Sequence, residues 1–227
     1  MIPDNVLQRT FCMQYRDETA TCFTLDMYRK QYIVTARHAL PDVGQAVSIG
    51  IQHDGQWKEL VCRVVGSAAG EVDISVLAPS HAISPSLTLE PNSRSICLGQ
   101  DVFFLGFPYG LQSVVGEANA DFPFPLVKRA CVSMLAMAPG SPRYLLLDGH
   151  NNPGFSGGPV IYSPPGQSHN TMVAGVISGY RYGWDNVFLD NRETNMMIRY
   201  NTGIITAYSI DYALELIRAN PIGAWLD

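Results

Sequence analysis

Three residues with complementary chemistry sit at the ends or starts of apolar runs in this 227-residue chain: His38, Asp73 and Ser156. Ser156 lies in Asn152-Pro153-Gly154-Phe155-Ser156-Gly157-Gly158-Pro159-Val160, a glycine-dense turn directly before an apolar run. A serine hydroxyl attacks a carbonyl only with a base to take its proton and donors for the oxyanion, and glycines leave backbone N–H groups uncovered. His38 ends the β-rich run Tyr32-Ile33-Val34-Thr35-Ala36-Arg37-His38, where a strand is expected to stop. Imidazole has an unperturbed pKa near neutrality, which suits it to accept the serine proton and return it to a leaving amine. Asp73, in Glu71-Val72-Asp73-Ile74-Ser75-Val76-Leu77, opens a hydrophobic strand instead of lying on a charged face. A partly buried acid there would fix the histidine tautomer and stabilise the imidazolium.

The pattern Gly154-x-Ser156-x-Gly158 also fits a nucleophile elbow, which needs a strand, a turn and then a helix. Here Gly157-Gly158-Pro159 disfavours a helix, and Val160-Ile161-Tyr162 favours a strand. The elbow order of serine, acid, histidine also fails, because no Asp or Glu lies between Ser156 and His169, the only downstream histidine. The partners of Ser156 must lie upstream.

The elements that would carry these residues are short strands separated by Gly, Pro, Asn and Asp turns, a pattern that argues for barrels. Strands are expected near 10–15, 21–28, 32–36, 46–52, 59–65 and 74–77, closing a first barrel over about 10–80 with His38 and Asp73 at strand ends. A Ser/Pro-rich linker over 81–98 leads to strands near 101–105, 127–137, 144–147, 159–162, 172–178 and 203–208. These make a second barrel over 99–208 that carries Ser156. The fold class is all-β: two six-stranded antiparallel barrels and a C-terminal helix over 209–219, with the site in the cleft between them. Ser209 is placed to cap that helix and Asn220-Pro221 to end it. The stripe Ile210, Ala213, Leu214, Ile217 is expected to pack on the second barrel.

With these residues in hand, the chain resembles the trypsin-like (chymotrypsin-fold) serine peptidases, most closely the HtrA-like bacterial type, over roughly residues 10 to 219. The order His38, Asp73, Ser156 matches. So does Gly99-Gln100-Asp101-Val102-Phe103-Phe104-Leu105-Gly106-Phe107-Pro108-Tyr109-Gly110, which is similar to the strand and turn that open the second barrel. Asp148 sits where the family has an acid before its serine loop, and Val173-Ala174-Gly175-Val176-Ile177-Ser178-Gly179 is similar to the strand lining the substrate cleft.

The resemblance implies a serine endopeptidase acting on protein or peptide substrates, with no cofactor and no metal. It implies an oxyanion hole from the N–H groups of Gly154 and Ser156, Ser178 beside Asp73, and substrate contacts from His150, Ser178, Gly179 and Tyr180. His150 matches the base of the pocket for the residue preceding the scissile bond. Without a carboxylate there, no preference for Lys or Arg is expected; the imidazole either accepts aromatic, polar or acidic side chains or only bonds neighbouring backbone. Phe155 replaces the aspartate that in digestive relatives pairs with a new N-terminus, and Met1-Ile2-Pro3-Asp4-Asn5 lacks their activation start. A peptidase made without that switch is expected, and a flipped Gly154–Phe155 peptide would leave it latent. The alternative is a latent or non-catalytic module that binds partners in a larger assembly.

Composition sets further bounds. With 15 basic and 20 acidic residues the formal net charge is −5, and neither sign forms a block, so nucleic acid is not an expected partner. No stretch of eighteen apolar residues and no signal-peptide pattern appear, so neither a membrane span nor a leader is expected. Cys12, Cys22, Cys62, Cys97 and Cys131 form no CxxC pair, and Ala39 stands where secreted relatives carry a bridging cysteine. Reduced thiols and a cytoplasmic location follow as expectations. His53, His81 and His169 lie in turn-rich stretches and read as solvated loop residues. The stretches 109–126 and 180–201 read as long loops, either regulatory and specificity loops open to a protein partner or plain surface insertions. No room is seen for the PDZ domain that follows the peptidase in HtrA proteins, and the oligomeric state stays open.

Overall fold

The computed structural model describes every residue except Ser86, Thr88, Pro139, Ser168 and Asp227. The first two of these belong to the linker expected over 81–98, and that part of the expectation lies outside the described residues. After a single helical turn, α1 (Asp4–Leu7), six strands follow: β1 (Thr10–Tyr15), β2 (Glu18–Met27), β3 (Lys30–Thr35), β4 (Ala46–His53), β5 (Gln56–Ser67) and β6 (Ser75–Pro79). They close as an antiparallel barrel in the order β1-β2-β3-β6-β5-β4, with Met13 opposite Ile51 at the closure. The period of two along a strand explains the interior: Val47, Ile49 and Ile51 of β4 point inward and are buried, while Ala46 and Ser48 face solvent. Strand β2 breaks this alternation, being buried from Ala20 to Leu25. Its Cys22 packs inside the barrel, and its Phe23 and Leu25 pack outward into a second cluster shared with the other half of the molecule. A strand covered on both faces loses the alternation of exposed and buried residues, and the hydroxyls of Thr21 and Thr24 are bonded to partners inside the molecule.

The second half contains β7 (Glu90–Pro91), β8 (Asp101–Gly106), β9 (Leu126–Ala136), β10 (Tyr144–Asp148), β11 (Pro159–Tyr162), β12 (Met172–Leu189) and β13 (Arg192–Ser209). Six of these form a ring, β11-β8-β9-β10-β13-β12, closed by pairing of β11 with β12. The short β7, inside the expected linker, adds to β12 in parallel. The linker is tied down at its other end by Arg9, which is fully buried. Its guanidinium donates to both oxygens of Asp26 and to the carbonyls of Pro85 and Leu87, so the buried charge is paired and its donors are used.

Three expectations change on the structure. The stretch 180–201 is not a loop: β12 and β13 run on past the ring as a two-stranded ribbon, turning at Asp190 and Asn191, both with positive φ (48° and 61°). Those are the dihedrals of a two-residue hairpin turn, which Asp and Asn tolerate better than other L-residues. The helix α2 (Asp211–Ala219) forms two residues later than expected, with Ile210 and not Ser209 at its N-cap while the Ser209 hydroxyl accepts from the Asp211 N–H at 3.2 Å, and it reaches back to the first barrel. Its Ile210, Ala213 and Ile217 fill the cluster between the halves, Leu216 lies against Gly66, and Asn220 Nδ2 donates to the Val65 carbonyl at 2.9 Å. His53 is not a solvated loop residue: it ends β4 with its ring 4.6 Å from Phe122, edge to face. Phe122, in the 109–126 stretch, also meets Phe11 at 5.0 Å, so this connection clips the second half onto the first barrel. Among the described residues no helix is long and apolar enough to cross a membrane.

Candidate active site

The three residues named first are brought together at the junction of the two halves. His38 lies in a single 3₁₀ turn (Arg37–Ala39) that follows β3, and Asp73 lies two residues before β6, the strand hydrogen-bonded to β3. That pairing sets them face to face: His38 Nδ1 and Asp73 Oδ2 are 2.6 Å apart, and the His38 backbone N–H donates to Asp73 Oδ1 at 2.8 Å. The Ser178 hydroxyl, from β12, donates to Asp73 Oδ2 at 2.6 Å. The carbonyl of the same residue accepts from Ser156 Oγ at 3.0 Å. Ser178 therefore links the acid on one barrel to the serine on the other. Among the described residues the Ser156 hydroxyl makes this bond and none to the imidazole.

The electrostatics follow from these contacts. Burial alone would raise the Asp73 carboxyl, but hydrogen bonds from the His38 ring, from Ser178 and from the His38 backbone outweigh it and hold the group below the usual carboxylate value. His38 moves the other way. The hydrogen bond to Asp73 raises its pKa, burial opposes this, and the Asp73 and Glu18 charges add to the rise. The Asp73 side chain is 12% exposed and that of His38 53%, so the imidazole presents its far edge to the cleft.

The backbone around Ser156 is fixed from several directions. The Pro153 carbonyl accepts from the Tyr109 N–H at 3.0 Å, and in a trans peptide the following N–H, that of Gly154, points the opposite way. The Gly154 carbonyl accepts from Thr21 Oγ1 at 2.7 Å. The Phe155 carbonyl accepts from the Gly158 N–H at 2.9 Å, which turns the Ser156 N–H away from that bond. Among the described residues neither the Gly154 nor the Ser156 N–H has an acceptor. Gly154 has φ +105°, and a Cβ on Gly157 would stand 2.0 Å from the Thr21 carbonyl, so side chains are excluded at both places. Phe155 is fully buried, edge to face with Phe104 at 4.9 Å, and Gly106 leaves the room its ring needs.

Of the residues expected to meet substrate, Ser178, Gly179 and Tyr180 line up on β12 beside Ser156, half-buried, with open space above Gly179. His150 is exposed, and its carbonyl accepts from Lys128 Nζ at 2.7 Å. Lys128 also donates to Asn152 Oδ1 and lies 5.5 Å over the Phe155 ring. Lys128 and Thr21 are positioning groups that the sequence reading did not single out. A Thr and a Lys on strands look like any others, and only their partners more than twenty residues away give them meaning.

The first-barrel and second-barrel pieces, so joined, have counterparts among known proteins. A family model described as a trypsin-like peptidase domain matches residues 20–167, which is more than half of the chain. The chain belongs to that family. The match includes His38, Asp73 and Ser156. No curated protein matches this trypsin-like peptidase domain by sequence. Among solved structures it is similar to an inactive serine-to-alanine mutant of Rv3671c from M. tuberculosis H37Rv, at TM-score 0.58 and 15% identity, covering 95% of this chain and 88% of that one. It is also similar to a serine endoprotease from Yersinia pestis (TM-score 0.58, 19% identity, 96% of this chain and 68% of that one). A third is the HtrA-type protease AlgW with a tripeptide (TM-score 0.57, 17% identity, 95% and 60%). At these identities the likeness is one of fold, the chymotrypsin-like pair of barrels.

Proposed function

We propose that this trypsin-like peptidase domain is a serine endopeptidase that hydrolyses peptide bonds of protein substrates through an acyl-enzyme. Ser156 is the nucleophile, His38 the general base and then acid, and Asp73 the group that orients the imidazole. The observation that supports this reading above all is Ser178, bonded through its hydroxyl to Asp73 and through its carbonyl to Ser156, with the His38 ring bonded to the same oxygen of that carboxylate. Asp73 accepts the proton of Nδ1, so Nε2 carries the lone pair.

For attack, the Ser156 hydroxyl turns from the Ser178 carbonyl to Nε2 and gives up its proton there as Oγ bonds to the substrate carbonyl carbon. The π electron pair moves to the carbonyl oxygen, which the N–H groups of Gly154 and Ser156 receive. Collapse of the adduct expels the amine, which takes the proton from His38. Water, deprotonated by His38, then attacks the ester and releases the acid, with the proton returning to Ser156.

One observation favours a second reading, a latent module: the serine proton is held by Ser178 and not by His38. Labelling with a fluorophosphonate decides between them. Stoichiometric labelling that disappears in Ser156→Ala is the expected result; a wild-type chain that stays unlabelled belongs to the latent reading.

Thr21 gives a finer test of the same chemistry. Its hydroxyl donates to the Gly154 carbonyl and accepts from the Phe107 N–H at 3.1 Å, so it fixes the peptide that precedes Phe155. In Thr21→Val the shape is kept and both bonds are lost. Labelling should slow by about 10²-fold, the order of losing one oxyanion donor, at a temperature where circular dichroism remains native. An unchanged labelling rate would mean that Thr21 joins the barrels without orienting the loop.

A further inference from the structure

Strand β12 loses its partner on one side at the residue where the candidate site begins. Up to Val176 it lies between β11 and β13. Ile177 makes the last bonds on the β11 side, donating to the Gly158 carbonyl at 2.9 Å and accepting from the Gly157 N–H at 2.7 Å. From Ser178 to Leu189, among the described residues, only β13 pairs with it. Residues 178–189 thus form an open strand edge, about 40 Å long at the usual rise per residue. It starts at the residue that holds the Ser156 hydroxyl.

Open edges of this length are templates for another strand, and proteins normally shorten, charge or cover them. This one is left long: register shifts between Ile177 and Gly179, Tyr180 and Tyr182, and Asn186 and Phe188 bend it and Arg181 and Asp185 lie along it, but its large exposed side chains are apolar. Tyr182 and Trp184 are more than half exposed, with ring centroids 6.1 Å apart, and the Arg199 guanidinium lies 4.9 Å over the Tyr182 ring. Phe188 and Leu189 stand exposed at the tip. A two-stranded ribbon without a third strand is also marginal by itself, which makes addition of a strand favourable.

We propose that the ribbon is a rail for the substrate: an extended polypeptide adds to the β12 edge beyond Tyr180 as a third strand. The commoner, antiparallel pairing places residues N-terminal to the scissile bond along 181–189, because β12 runs away from Ser156 in that direction. Continuity with the edge beside Ser156 is what selects substrate over other occupants. Backbone bonds supply the grip, and Tyr182 and Trp184, two residues apart on one face, select apolar side chains at alternate substrate positions. The substrate class is then unfolded or locally extended protein, gripped over roughly eight to ten residues upstream of the cut.

This inference rests on the peptidase reading above, and the test separates the two. A peptide cut by the wild-type chain in a proteome-derived pool is synthesised with ten and with four residues upstream of the cut. The ten-residue form should show a kcat/KM about tenfold higher or more, the sum of a few strand bonds. That gain should vanish when 182–200 is replaced by an Asn-Gly turn. It should also fall in the double variant Tyr182→Ser, Trp184→Ser, which keeps the ribbon should the shortened chain not fold. Fluorophosphonate labelling rates should stay within about twofold in both variants, since no reacting group is touched. Normal labelling with equal kcat/KM for the two lengths, or a gain that survives in both variants, overturns the rail alone. Failure of the wild-type chain to label overturns both readings. If light scattering shows instead that shortening the ribbon halves the mass while length dependence is absent, the edge is occupied by a second copy and the rail is overturned.

Discussion

Replacement of Ser156 by alanine is expected to lower kcat by about 10⁶-fold and to leave a residual rate of 10³–10⁴ over the uncatalysed reaction from the oxyanion donors and binding. The size of the effect follows from the division of labour. Without Oγ there is no acyl-enzyme, His38 has no serine proton to move and Asp73 no imidazolium to stabilise, so their contribution disappears with the serine. Fold is not at risk, because Ser156 is tied through its backbone, its carbonyl accepting from the Thr21 N–H at 2.9 Å. The side chain gives up a single bond, to the Ser178 carbonyl. Steady-state hydrolysis of an unfolded protein substrate, with circular dichroism of the variant, measures this. Turnover within tenfold of wild type would remove Ser156 from the chemistry.

The second large effect belongs to Asp73→Asn, expected to reduce kcat by about 10⁴-fold with the geometry nearly intact. An amide NH₂ beside Nδ1 favours the tautomer with its proton on Nε2, where the base is needed. The pH profile adds an independent sign. His38 must be neutral to act, so the rate is lost as pH falls through its pKa, and the hydrogen bond to Asp73 is the chief cause that raises this value above 6.5. The acid limb of kcat/KM should therefore lie above 6.5 in the wild type and move down in Asp73→Asn. A limb that does not move, with less than tenfold loss, would separate Asp73 from His38 in function.

Stability has the opposite preference. A histidine whose folded pKa is raised stabilises the fold fully below its unfolded value, and this is lost as pH rises through the folded value. The lowered Asp73 carboxyl contributes above its unfolded value and is lost as pH falls through the folded one. The pair is thus most stabilising at mildly acidic pH, where His38 is protonated.

How much of this was legible depends on the range of each contact. That His38, Asp73 and Ser156 converge could be read because each sits near a strand boundary with a local signature, and because their order excludes the elbow. Strands of the first barrel could be read from alternation, as in Val47, Ile49 and Ile51. The ribbon was missed because the alternation of Tyr180, Tyr182 and Trp184 with Arg181, Gly183 and Asp185 stops at Asn186, and Tyr182, Trp184, Phe188 and Met197 carry no buried face. Its other signal was Asp190-Asn191, a pair suited to positive φ between two β-rich runs. The docking of α2 was read only in part for a related reason: a helical stripe states that a face is buried and says nothing about what covers it, and Ile210, Ala213 and Ile217 pack against residues of both halves. Thr21, Lys128 and Arg9 act through partners that only the folded chain brings near.

The bond from Thr21 to Gly154 closes a loop of 133 residues, and the one from Ser178 to Asp73 a loop of 105. Such distant closures are slow, and they come after the local hairpins on either side have formed. During synthesis the first barrel can complete its own strands while Ser156 and Ser178 are still unmade, so the junction that gathers His38, Asp73 and Ser156 forms only when the two halves have met.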